Sequence, residues 1–203
     1  MTDTPDYSMI RGFLIAAILM GFASLALPWW TFIFLVEGRL ASTFHLFLWG
    51  VVKTGFLRAR MPFEWWSYTT FALVTIGALF GLGSCRLLIR NKENARKLVA
   101  LEIVFTISGC VLYLAGLVFT FATFFKNHQD LWMIVPFENQ RFAIGIYSPF
   151  CFSFYPTLGA IMIEFLSVGF FLAVVASVLS LVALYKLRKH VNNQYALQKG
   201  HLQ

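Results

Sequence analysis

Four long apolar stretches, at about 10–27, 67–89, 98–125 and 158–185, fill most of this chain. Each reaches the roughly 20 apolar residues that a helix needs to cross a hydrocarbon core about 30 Å thick. In lipid a backbone must satisfy its own hydrogen bonds, so runs of this length are expected to be helices. Hydrophobic residues make up 59% of the 203 residues and charged residues only 12%, against about 45–50% and 25% in a soluble domain. The expected fold class is an all-α membrane protein, a single four-helix domain spanning 1–203. Its loops are expected at about 28–66 and 126–157, with a turn at 90–97 and a tail at 186–203.

Basic residues set the expected orientation. Arg86, Arg90, Lys92, Arg96 and Lys97 crowd the second break, and Lys186, Arg188 and Lys189 open the tail. The positive-inside rule places both groups on the cytoplasmic side, with both termini inside and the two long loops outside. The +7 formal charge is therefore a membrane-orienting feature and not a nucleic-acid footprint. A small-residue cleavage site at Ser24-Leu25-Ala26 would suit a signal peptide. However, the acidic N-terminal region and the apolar continuation through Thr31–Val36 favour a retained helix.

The long loops are not linker-like. Thr31–Val36, Thr43–Trp49 with Gly50, Val51 and Val52, Arg141–Tyr147 and Phe150–Tyr155 are aromatic, β-branched and partly alternating. Such runs predict short strands. Gly38, Gly50, Gly55, Pro62, Pro149 and Pro156 punctuate them. A small antiparallel sheet on the outer face, built from both loops, follows. Trp29, Trp30, Trp65 and Trp66 flank the first loop, where indoles favour the headgroup region. Candidate contact or folding residues are Trp29, Trp30, Leu48, Trp49, Gly50, Phe63, Trp65, Phe150 and Phe152.

Within the helices, Gly77 and Gly81, and the stripe Gly169, Ala173, Ser177 and Ser180, suit close helix packing or, for the glycine pair, dimerisation. Two carboxylates fall inside the apolar runs. Glu102 is expected about one turn into the third helix, paired with Lys97, Arg96, Arg86 or Arg90 or hydrogen-bonded. Glu164 is expected about two turns into the fourth. Intramembrane carboxylates are functional candidates by default. Of the cysteines, Cys151 alone lies in an outer loop, so no intrachain outer disulfide is expected. Cys85, next to Arg86, suits either packing or S-palmitoylation. His45, His128, His190 and His201 form no metal-ligand spacing, and no nucleophile, phosphate-loop or dinucleotide motif occurs. No catalytic residue, metal or cofactor is expected.

The order of parts is that of a known superfamily. Trp29 or Trp30 follows Pro28, then come Leu48-Trp49-Gly50 and, shortly after, Lys53. Claudins show a tryptophan, then Gly-Leu-Trp and two cysteines; amastins show Leu-Trp-Gly and then a basic residue. The chain resembles this claudin-like tetraspan superfamily, which also includes clarins and peripheral myelin protein relatives. It lacks the first-loop cysteine pair. The resemblance implies a cell-surface, plasma-membrane protein without enzymatic activity, mediating lateral assembly, adhesion or membrane organisation. Its expected partners are the lipid bilayer and other membrane proteins or itself, as a homo-oligomer, with no nucleic acid. An accessory subunit of a larger membrane enzyme or transport complex fits the same features. So does a small oligomeric channel or transporter with Glu102 or Glu164 on its path.

Overall fold

A computed structural model describes residues 7–55, 65–127, 151–155 and 160–200. It holds four helices long and apolar enough to cross a membrane, together with one five-stranded sheet. In chain order these are α1 (Tyr7–Ala26), β1 (Trp30–Val36), β2 (Arg39–Phe47), β3 (Gly50–Gly55), α2 (Trp65–Leu87), α3 (Lys92–Asn127), β4 (Cys151–Tyr155), β5 (Ala160–Leu166) and α4 (Val168–Gly200).

The sheet is antiparallel throughout, in the order β3-β2-β1-β5-β4. The central pair joins the strand that leaves α1 to the strand that enters α4, with Trp30 opposite Leu166 and Val36 opposite Ala160. The expected sheet from both loops is therefore present, and α1 and α4 pack together beneath it. β1 turns into β2 through Glu37 and Gly38, both at positive φ (51° and 73°). That is the two-residue turn whose twist matches its flanking strands, and it explains a glycine at position 38. A bulge beyond Phe34 then shifts the β1–β2 register. Gly55, at φ 96°, closes β3 where a Cβ would meet the Ala41 carbonyl. Only glycine fits there.

Alternation along the strands separates two faces. Trp30, Phe32, Phe34, Phe44 and Leu46 share one face and are buried in a core that also takes Trp29, Trp66, Tyr113, Leu117 and Phe170 from the helix side. The sheet and the adjoining end of the bundle thus share one core, while Ile10, Leu14, Leu88, Val99 and Leu187 belong to a second one among the helices alone. The opposite face carries Thr31 beside His45 (3.1 Å) and Thr43 beside Thr54 (2.6 Å).

α2 and α3 form a hairpin. Its turn is closed by the Arg90 and Asn91 amides on the Leu87 carbonyl. Asn91 then caps α3, its Oδ1 accepting from the Asn94 amide at 3.0 Å. Two boundaries correct the expectation from sequence. Ala160–Leu166 is a strand, not the opening turns of a helix beginning at Leu158. Ser167, whose carbonyl accepts from the Phe170 amide at 3.1 Å, marks the true start of α4. Most of the segment expected as a tail at 186–203 is also helical, since α4 continues to Gly200.

Candidate functional site

Chemistry-bearing residues concentrate at two places: the junction of sheet and bundle, and a buried polar patch deeper among the helices. Pro28 ends α1, since the residue before a proline is pushed out of helical geometry. The next residue, Trp29, is fully buried and held from four directions. Its Nε1 donates to the Ser24 carbonyl (2.7 Å) and its amide to the Leu46 carbonyl (2.8 Å). The Ser167 amide donates to its carbonyl (2.9 Å), and its ring packs 4.9 Å from Tyr113 and 5.7 Å from Phe170. Trp66 meets Tyr113 edge-on at 5.1 Å.

Two glycines make this cluster possible. A Cβ on Gly169 would lie 2.5 Å from Trp29 Cδ1, and one on Gly116 would lie 2.4 Å from Trp66 Cδ2. The packing role expected of Gly169 is thus specific: it admits a tryptophan. Ala173 is buried one turn on, and Ser177 donates back to the Ala173 carbonyl at 3.0 Å.

The flanking tryptophans do not act alike. Trp29, Trp30 and Trp66 are buried in protein, Trp30 stacking on Phe32 at 6.3 Å. Headgroup anchoring is thereby overturned for all three. Trp65, 68% exposed, retains it as an option. Leu48 is fully buried, whereas its neighbour Trp49 is 52% exposed and leans on Phe47 at 4.7 Å. Gly50 opens β3 opposite Phe47, with nothing near the place of a Cβ. Phe152 lies in β4 opposite Ile163. Phe63, Phe150 and the expected strand at 141–147 fall outside the described residues, as do His128 and His201.

The two carboxylates part company. Glu164 is not on a helix: it sits in β5, in register with Phe32 on one side and Cys151 on the other. Glu102 is deeper than expected, because α3 starts at Lys92 and ten residues of rise carry it about 15 Å along the axis. It is 4% exposed. The expected ion pair is absent among the described residues, and Lys97 instead meets Glu93 on the surface at 3.1 Å. Glu102 Oε1 accepts from Ser180 Oγ on α4 at 2.7 Å, while Oε2 has no partner among the described residues. Gly81 makes room for it: a Cβ there would lie 3.0 Å from Glu102 Cδ and 2.9 Å from Ile18. Gly77 similarly faces Thr106, whose Oγ1 donates to the Glu102 carbonyl at 2.8 Å. Both glycines are occupied inside the monomer, so a dimer interface through them is overturned.

Three contributors escaped the sequence reading: Tyr113, Gly116 and Phe170. Each lies in an apolar run with nothing local to distinguish it from its neighbours. Only the tertiary arrangement selects them.

Cys85 and Cys110 are free thiols, and no group of three metal-binding side chains occurs among the described residues. No known family and no curated protein matches the chain. Chemically, the junction is a rigid aromatic mount. It holds the sheet in a fixed attitude on the helices and presents the Trp49 corner outward.

Proposed function

We propose that this chain is a multi-pass membrane protein of claudin-like architecture that works without catalysis. It mediates lateral assembly or adhesion through the rim of its sheet. The helices carry Leu19, Leu79, Val104, Val111 and Val178 exposed on their outer faces. In water such surface would be a severe aggregation liability, whereas in lipid it is the ordinary condition of a spanning helix. Basic residues at the α2–α3 turn and late in α4 favour a cytoplasmic location for that end and for both termini. The sheet then faces outward, in the manner of a plasma-membrane surface protein.

The observation that carries the assembly reading is the contrast between Leu48 and Trp49 in one two-residue turn. Leu48 anchors the turn in the core, and Trp49 projects half-exposed beside the edge strand β3. An exposed indole next to a strand that ends the sheet among the described residues is a suitable hot spot for another membrane protein or a second copy. Extraction in mild detergent, with the stoichiometry of what co-purifies, tests it. Trp49→Ala should leave the thermal midpoint within about 2 °C, because the ring touches little inside the protein, and should weaken assembly at least about tenfold. Unchanged assembly refutes the role. A fixed ratio to one large membrane enzyme or transporter, insensitive to Trp49, would instead make the chain an accessory subunit.

A further inference from the structure

At the end of the bundle away from the sheet, α1 and α2 leave an open groove of about 790 Å³ between them. Two stripes line it. Arg11, Ile15 and Leu19 follow one another on α1; Leu82, Arg86 and Arg90 run along α2 and into its turn. Each stripe has helical spacing of about four residues, so each lies along one face. The stripes are in phase: arginines sit together at the mouth and aliphatic side chains together farther in. All six residues are exposed. Among the described residues none of the three arginines is ion-paired and no carboxylate lines the groove.

We propose that this groove holds one anionic phospholipid, its phosphate against Arg11, Arg86 and Arg90 and an acyl chain along Ile15, Leu19 and Leu82. Guanidinium groups suit the shape and charge of a phosphate, donating paired N–H bonds to its oxygens. Three of them with no counter-ion among the described residues are complementary to a headgroup of net negative charge and not to a zwitterion. The apolar wall separates a lipid from free phosphate, which would use the arginines alone. The volume falls within the range of small-molecule sites. This inference rests on the membrane-spanning reading above.

The test uses the full chain, purified in detergent and stripped of lipid, with bound molecules counted by native mass spectrometry. The probes are dioleoyl phosphatidylglycerol, dioleoyl phosphatidylcholine and inorganic phosphate. Phosphatidylglycerol should be retained as a single molecule, at least about tenfold more tightly than phosphatidylcholine. Each arginine near a membrane surface is worth about fivefold, so R86Q/R90Q should cost roughly 25-fold. R188Q/K189Q, equally basic but on α4 outside the groove, should change nothing. Leu82→Trp, which fills the apolar wall and spares the arginines, should lose the lipid while its thermal midpoint is retained.

Equal retention of the two lipids overturns the proposal. An R188Q/K189Q loss as large as the R86Q/R90Q loss reduces the effect to general surface charge and also overturns it. Phosphate binding as tight as the lipid identifies a phosphate site instead. A retained chain released by hydroxylamine and absent in Cys85→Ser is a thioester on the cysteine that borders the groove, and likewise refutes a bound phospholipid. Alkaline carbonate washing of membranes separates the two levels. Release of the chain rejects the spanning reading itself, whereas a chain that stays embedded without lipid preference rejects the groove alone.

Discussion

Gly116→Ala should be among the most damaging one-carbon additions to this chain. The added Cβ would lie 2.4, 2.5 and 2.9 Å from Cδ2, Cγ and Cε3 of Trp66. Ordinary contact begins near 3.4 Å, so the ring or the helix must move by about 1 Å. The indole has no free direction, being 3% exposed and set edge-on against Tyr113. Overpacking of this kind costs about 1–3 kcal/mol, and a spoiled aromatic pair about 0.5–1.5 kcal/mol more. Against this stands the gain in helix propensity on replacing glycine, about 1 kcal/mol.

Gly12→Ala supplies the control. It sits in α1 with nothing within 4 Å of the added carbon, so it takes the same propensity gain with no clash. The difference between the two variants isolates the clash, at about 1.5–4.5 kcal/mol. For a chain of this length that separates their thermal midpoints by several degrees, at about 2–4 °C per kcal/mol. The assay is thermal unfolding in one detergent, followed by intrinsic fluorescence. Trp66→Leu in the Gly116→Ala background removes the obstructing ring and should show a favourable coupling of at least about 1 kcal/mol in a double-mutant cycle. If Gly116→Ala matches Gly12→Ala, or the cycle shows no coupling, the account of the aromatic mount is wrong.

Three further outcomes follow from the same contacts. Trp29→Phe loses the Nε1 donation to the Ser24 carbonyl and part of a fully buried ring, and should cost about 2–4 kcal/mol by thermal unfolding. Ser180→Ala strips Glu102 of its described hydrogen bond and should cost about 1–3 kcal/mol, with Glu102→Leu on top recovering part of it; simple additivity of the two would contradict the pairing. Tyr113→Phe should be neutral or stabilising by up to about 1 kcal/mol, because its buried hydroxyl has no partner among the described residues; a clear loss of stability would mean the hydroxyl is engaged after all.

The helices and most of the sheet could be read from sequence because their signals are long or periodic. Runs of 20 apolar residues admit one solution in lipid, and Thr31–Val36 with Thr43–Trp49 are rich in the aromatic and β-branched residues that strands favour. The start of the fourth helix could not be read. Ala160–Leu166 is apolar, and so is Val168 onward, so strand and helix run together with only Ser167 between them. A short apolar run is ambiguous between the two until its partners are known. Here the partners are β1, 124 to 136 residues from its β5 partners (160−36 and 166−30), and β4, which precedes β5 directly in the order of strands.

The misplacement of Glu164 has the same origin, and its consequence bears on function. A carboxylate assigned to a spanning helix invites a transport path; one in a strand at the sheet does not. Glu102 gains the weight that Glu164 loses, yet what surrounds it is close packing. Even a Cβ added to Gly81 would come within 3.0 Å of its carboxyl carbon and 2.9 Å of Ile18, and one serine is its described partner. Buried polar groups cost stability unless they are partnered, but they also disfavour alternative helix alignments in which they would meet only hydrocarbon. With Ser180 on α4 and Gly81 on α2 both meeting Glu102 on α3, one residue fixes the mutual register of three helices. The aromatic mount sets the sheet on that bundle. Rotation of α4 by a single residue would break the Glu102–Ser180 bond and the Gly169–Trp29 contact together, so the outward attitude of Trp49 depends on a carboxylate buried deep among the helices.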